Sequence, residues 1–332
     1  MKFKPFFKAA FLILPFIAAA VFFPSCASNA LRAEEYFSIG MAYYEIGQNS
    51  SSNSSYYFQE AEKWLNRARS ADKTMVASTY NLGRLAFENG RYEEAARLFE
   101  SILAKDPDNV MALKAAAFSR IKNGNIEQAE VLYSRVLALI PESADDGYNY
   151  ALVLFSLKKY ENCEEVLNRY PFALEKNSTA LLMLARAQKA QDKVEAADTY
   201  GKWAAISAAE PQGLYEYAQV LEFAGFYAKA LEQYKAAMDA LKSDTEDLKK
   251  SALRFEYARL LLTEDPENNE GITALTGAVT DGFSDNAAIE TLLTDERITQ
   301  AHKDEMRKIL DNIKNKDRKT EDEDEARTSD SE

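Results

Sequence analysis

The stretch "YNLGRLAFENGRYEEAARLFESILAKDPDN", Tyr80 to Asn109, decides how the rest of the chain is read. Its small residue Ala95 recurs as Ala129, Cys163 and Ala197, each 34 positions on, and as Ala61 34 positions earlier; Ala230 follows Ala197 at 33. Four residues beyond each stand Leu65, Phe99, Tyr133, Leu167, Gly201 and Tyr234, and three residues before each stand Phe58, Tyr92, Ile126, Tyr160, Val194 and Tyr227. A second series of small residues, Gly83, Ala117, Ala151, Ala185 and Ala218, runs twelve positions ahead of the first. Self-similarity at a fixed period marks a repeat architecture in which each period is one supersecondary unit.

Within each half-unit the apolar spacing is helical, as in Leu98, Phe99, Ile102 and Leu103. Gly90, Gly124 and Gly225 are placed to stop the first helix of their units, and Pro107 and Pro141 close two units where a helix cannot continue. Small residues at the two recurring places let paired helices approach closely, with large residues filling the gaps. Each unit is thus a helix-turn-helix hairpin whose open apolar face is buried by stacking on the next.

The order of small, glycine, tyrosine, alanine, aromatic and proline positions in "NLG…FENGRYEEAARLF…ILAKDP" resembles the tetratricopeptide repeat family. The resemblance implies an all-α fold, a right-handed superhelical solenoid of hairpins with a C-terminal capping helix region. Six units are expected over 33–244, with a degenerate seventh repeat and capping helices over 245–310. The fifth unit departs from the family at Gly201, where a large residue is usual. The first unit is nine positions too long, and "GQNSSSNSS", Gly47 to Ser55, is expected to be a polar surface loop between its helices. The segment Asp311–Glu332 holds nine acids and five bases and is expected to be a disordered acidic tail.

The N-terminus reads differently. "MKFKPFFK" is basic, and Ala9–Phe23 runs fifteen residues without a charge. That is the secretory signal pattern, and the run is shorter than the roughly 20 apolar residues of a spanning helix. An uncleaved membrane anchor is the alternative. "FPSC", Phe23 to Cys26, resembles the bacterial lipobox: Ser25 is the small residue before the cysteine, Phe23 stands where leucine is usual, and Pro24 is atypical. The resemblance implies a lipoprotein signal peptide over 1–25 and lipid attachment at Cys26, through a diacylglyceryl group on the thiol and an acyl chain such as palmitate on the new amino terminus. Two or more chains hold a protein firmly at a membrane. Residues 26–32 would form a tether of at most about 25 Å. Ser28 is not the aspartate that retains lipoproteins at the inner membrane in enteric bacteria, which favours the periplasmic face of the outer membrane. The other reading of Cys26 is a thiol left beyond an ordinary signal peptidase site.

The net charge is −13, and loss of Lys2, Lys4 and Lys8 with residues 1–25 makes it −16. That balance argues against nucleic acid as a partner and against electrostatic docking on anionic lipid, so lipid on Cys26 must make the membrane contact. Cys163 occupies a packed small-residue position and is expected to be an inert core thiol. One histidine, His302, is present, with no metal-ligand spacing, phosphate loop or HExxH motif. No catalytic residue, metal or cofactor is expected, although carboxylates far apart in the chain could still meet in space. The reading is a binding protein.

In the family the concave face is lined by first-helix residues. Mapped onto this chain, they are Phe37, Met41 and Tyr44; Tyr80, Arg84 and Phe87; Lys114, Phe118 and Ile121; Tyr148 and Phe155; Arg186; and Tyr215 and Phe223. A ladder of aromatics with a few arginines has the composition of interface hot spots, unless the superhelix covers part of it. Members of the family that hold the acidic C-terminus of cytosolic chaperones need lysine and asparagine at set places. Tyr80, Arg84 and Asn149 fall there, with Asp145 where a lysine is needed, so that clamp is not formed. The expected function is a membrane-anchored protein–protein interaction scaffold of the bacterial cell envelope, binding a protein or peptide in the groove. The alternative is a transport accessory lipoprotein that captures a small or lipidic ligand or docks a solute-binding protein; an enclosed apolar pocket would favour it. Self-assembly through the concave or cap surface is a third reading, and the oligomeric state stays open.

Overall fold

The computed structural model describes residues 29–329 apart from 51, 52, 208 and 209, with side chains as far as 314. The signal segment 1–25 and Cys26 lie outside the described residues. Every regular element among those described is an α-helix. In the first compact unit, which ends at Tyr170, α1 (Asn29–Asn49) pairs with α2 (Ser54–Ala71), α3 (Val76–Glu88) with α4 (Tyr92–Leu103), α5 (Val110–Lys122) with α6 (Ile126–Leu139), and α7 (Ala144–Ser156) with α8 (Tyr160–Asn168). The second unit begins with the short α9 (Pro171–Leu174). Its hairpins are α10 (Ser178–Lys189) with α11 (Ala196–Ile206), α12 (Pro211–Phe223) with α13 (Tyr227–Ala240), and α14 (Lys250–Glu264) with α15 (Glu270–Thr280); α16 (Asn286–Leu293) and α17 (Gln300–Ser329) follow. This is the all-α array of hairpins that the 34-residue period predicts.

The period works through burial. Ala61, Ala95, Ala129, Cys163 and Ala230 are fully buried, as are Ala117, Ala151, Ala185 and Ala218 on the facing helices. The turn between the two helices of a unit repeats as well. Gly90, Gly124 and Gly225 have φ of 75°, 81° and 79°, the left-handed region where a Cβ is unfavourable. Lys158 and Asp192 take the same place in the fourth and fifth units at 58° and 53°. All five turns close with the same bond, from the N–H one residue on to the carbonyl five residues before it: Arg91 to Ala86, Asn125 to Arg120, Lys159 to Leu154, Lys193 to Gln188 and Phe226 to Leu221, at 2.8–3.0 Å. The departure at Gly201 is also filled. Tyr200, fully buried, stacks on Tyr217 at 5.7 Å, and a Cβ at residue 201 would lie 3.1 Å from the Tyr217 Oη. The missing bulk has moved by one position.

Three expectations are corrected. The Gly47–Ser55 insertion is mostly helix: α1 runs to Asn49 and α2 starts at Ser54. The extra residues lengthen the first hairpin to helices of 21 and 18 residues, against 13 and 12 for α3 and α4. Gly47 is a buried contact rather than a turn residue, since a Cβ there would meet the Phe58 ring at 2.8 Å. Residues 29–32, assigned to the tether, are helix instead, because α1 begins at Asn29 and winds them at about 1.5 Å per residue. The acidic tail is not without structure, since α17 continues through it to Ser329. Buried Met306, Leu310 and Ile313 anchor its first turns. No glycine or proline follows to stop propagation, which costs far less than nucleation.

Cys163 is fully buried, and burial pushes its thiol up to about 12. A thiol reagent at mildly alkaline pH is therefore expected to leave Cys163 unmodified in the native protein and to label it fully in denaturant. Peptide mass spectrometry scores it separately from Cys26, and rapid native labelling would show that the thiol is reachable.

Candidate functional site

The first helices of the hairpins carry the residues that the sequence assigns to an inner face, and the geometry shows what those residues touch. The residue four beyond the small position of one unit meets the residue one beyond the small position of the next. Tyr44 meets Arg84, whose guanidinium lies 5.1 Å from the ring centroid and whose Nη2 donates to the Tyr44 Oη at 3.0 Å. Phe87 stacks on Phe118 with centroids 5.1 Å apart and planes at 29°. In the second unit the Lys189 Nζ donates to the Gln219 Oε1 at 2.6 Å. The Arg259 Nη2 donates to both Glu222 carboxylate oxygens at 2.7 Å. These are rungs of one register built from four chemistries. Sequence reasoning treated the residues as a face and did not pair them, although a constant offset from one small position to the next would have found the partners.

The rungs correct several assignments. Tyr44 is buried, with 4% of its surface exposed, so it is no contact point for a partner. Its hydroxyl donates to Glu88 and accepts from Gln48 Nε2 at 2.8 Å, and burial with the Glu88 bond raises the phenol well above its ordinary range. Lys114 is held at 2.9 Å by Asp146, a carboxylate with 1% exposure that also accepts from Ser143 Oγ at 2.6 Å. Arg186 is held by Glu216 at 2.6 Å and Glu210 at 2.8 Å. Tyr215 packs its ring 6.0 Å from that of Tyr234. Phe223 is one residue out of register, because the spacing from Ala185 to Ala218 is 33 rather than 34. Glu222 takes the rung, and Phe223 turns to solvent with 75% exposure.

Two different faces result, one on each unit. On the first, half-buried Tyr80, Phe87, Phe118, Tyr148 and Phe155 give α3, α5 and α7 an aromatic strip, with Ile121 half-buried on α5 and Phe37 on α1. Each of three rings is set by a neighbour from its own hairpin: Tyr80 by Phe99 at 5.2 Å, Phe87 by Tyr92 at 5.1 Å and Phe155 by Tyr160 at 5.4 Å. The Lys122 Nζ stands 5.7 Å from the Phe118 ring. On the second unit the face is a lattice of ion pairs beside an open cleft of about 390 Å³, lined by Phe223, Tyr227, Glu256, Arg259, Glu264 and Arg297 among others. Sequence reasoning missed this cleft. Another open cleft, of about 500 Å³, lies on the first hairpin at Ala42, Glu45, Ile46 and Tyr57. Neither is an enclosed apolar pocket. Among the described residues no group of three or more His, Cys, Asp or Glu could hold a metal ion, and no helix is long and apolar enough to cross a membrane. His302 is buried in the C-terminal helices with its Nε2 3.1 Å from the Asn269 Oδ1.

Sequence models of two families match the chain. The one described as "Tetratricopeptide repeat" matches residues 58–110 and 80–144, and "Anaphase-promoting complex, cyclosome, subunit 3" matches 122–203. No curated protein matches. Among solved structures, a tetratricopeptide repeat protein from Parabacteroides merdae is similar at 18% identity and a TM-score of 0.49, over 79% of this chain and 97% of that one. YrrB, described as a TPR protein with an unusual peptide-binding site, is similar at 18% identity and 0.49, over 53% and 91%. MamA from Desulfovibrio magneticus gives 18% and 0.46, over 50% and 94%.

Proposed function

We propose that this chain, a member of the tetratricopeptide-repeat family, is a lipid-anchored scaffold of a bacterial cell envelope that holds an extended polypeptide on the first-helix face of its N-terminal unit. Repeats of this family form protein-interaction surfaces, and the aromatic strip centred on the stacked Phe87–Phe118 pair is the observation that carries the reading. Rings already fixed by neighbours lose little conformational entropy when a partner lies on them, so more of their contact energy appears as affinity. Arg84 and Lys114 are turned to partners within the protein, which suits an apolar ligand segment better than an acidic one. The anchor rests on Cys26 and the basic, apolar segment before it, and the periplasmic face of the outer membrane fits Ser28.

The test is crosslinking in intact cells, then membrane solubilisation and identification of the captured chains. Native protein should capture a defined envelope protein, and Phe87→Ala with Phe118→Ala should lower that capture about tenfold or more without loss of helicity. Equal capture by both forms would sink the groove assignment. In the same cells Cys26→Ser should move the protein to the soluble fraction, and membrane retention would sink the anchor.

A further inference from the structure

Three large, mostly apolar side chains stand exposed around the turn at Gly225, at the end of α12 and the start of α13. Phe223 is 75% exposed, Phe226 53% and Tyr227 39%. Scattered exposed hydrophobics need no explanation, but a contiguous cluster beside a cleft marks an interaction site. Phe223 and Tyr227 line the 390 Å³ cleft, whose floor is charged. There Arg259 bridges Glu222 and Glu256, both at 2.7 Å, and Arg297 pairs with Glu264 at 2.5 Å and Asp295 at 2.7 Å. Three carboxylates, Glu222, Glu256 and Glu264, thus line the cleft with two guanidiniums, and Asp295 holds Arg297 from outside the lining. The lining therefore carries one net negative charge, and Lys229, whose Nζ lies 5.6 Å from the Phe226 ring, stands outside it. The carboxylates remain reachable, with 23% of the Glu222 side chain exposed, 28% of Glu256 and 22% of Glu264.

We infer that this cleft is a second docking site, for a peptide segment that presents a lysine or arginine beside a large apolar residue. A cationic head can lie on the ring faces and bond to the lining carboxylates while its stem and the neighbouring residue cover Phe223 and Tyr227. An acidic ligand is disfavoured because each guanidinium is already shared between two carboxylates. A second copy of the chain would bring like charge against like charge, and an anionic lipid surface meets the same repulsion. The inference concerns the second unit alone and does not depend on the aromatic face proposed for the first.

The test uses the full-length protein, solubilised in detergent, on an immobilised array of random hexapeptides. Arrays should enrich Lys or Arg next to Leu, Phe or Tyr. By fluorescence anisotropy, the best such peptide should bind about tenfold more weakly to Glu256→Gln with Glu264→Gln, and about as much more weakly to Phe223→Ser. Phe223→Ser replaces an exposed side chain, so it keeps the test valid if the double variant is misfolded. Phe87→Ala with Phe118→Ala should leave the affinity unchanged. The inference is overturned if no basic and apolar pair is enriched, or if Phe223→Ser binds as the native protein does. If binding instead falls only with the Phe87 and Phe118 changes, the peptide sits on the first unit, and that reading stands without this one.

Discussion

Gly213→Ala lowers the stability of the second unit by about 3 kcal/mol. The direction is informative, because alanine ordinarily favours a helix over glycine by about 1 kcal/mol. Gly213 lies in the first turn of α12, and its helix carries no left-handed backbone there. What forbids the methyl group is the Trp203 indole, whose Cη2 would lie 2.5 Å from it. That indole has 1% exposure and stands edge-on to Tyr200, itself fully buried. It has nowhere to go within a core that also holds Leu214, Ala218 and Tyr234. Urea unfolding followed by far-ultraviolet circular dichroism checks the loss, and Trp203→Phe in the Gly213→Ala background should recover part of it by removing the clashing ring. A variant as stable as the native protein would show that the indole moves aside freely.

The second large effect falls on Arg120, which has 7% exposure and joins α4 to α5. Its Nη1 donates to Glu93 at 2.7 Å, and its Nε and Nη2 take both oxygens of Glu100 at 2.8 and 2.7 Å. Arg120→Ala removes the cation that both carboxylates share: Glu100 loses its bidentate guanidinium, while Glu93 keeps Arg97 at 3.1 Å and Asn123 at 2.9 Å. Breaking a fully buried pair costs about 3–5 kcal/mol. Glu93 and Glu100 keep 40% and 36% of their side chains in water, which reduces the expected loss to about 2 kcal/mol. Hydrogen exchange in the α4 and α5 peptides reads it locally. The faster exchange should be confined to the α4 and α5 peptides, with α12 and α13 unchanged. Exchange as slow as in the native protein would show that the guanidinium adds no net stability.

How much of this could be read from the sequence depended on whether the governing contact lay within one period. Ala95, Ala129 and Cys163 named the fold because their burial repeats every 34 residues with the same neighbours. Gly90 and its counterparts named the turns for the same reason, although Lys158 and Asp192 show that the geometry survives without glycine. The inner face was legible as a row of positions, but not as rungs, because each rung joins two units and its chemistry changes from one to the next. Phe223 was misplaced by one shortened repeat. Composition misled twice: serine and asparagine in 47–55 suggested a loop where Gly47 and Phe58 needed a longer hairpin, and charge in 311–332 suggested disorder where a helix with buried Ile313 continues to Ser329. The second-unit cleft was out of reach. It needs α12, α14 and Arg297, and the step from Ala218 to Ala258 is 40 residues, so the seventh repeat read as degenerate and its Arg259 was not set opposite Glu222.

The changing rungs make the spine of this protein a composite material. Salt screens the Glu222–Arg259 joint and slackens it. The same salt, if it is a sulfate or phosphate, strengthens apolar burial and tightens the Phe87–Phe118 joint. One ionic medium therefore tightens the Phe87–Phe118 joint while it loosens the Glu222–Arg259 joint.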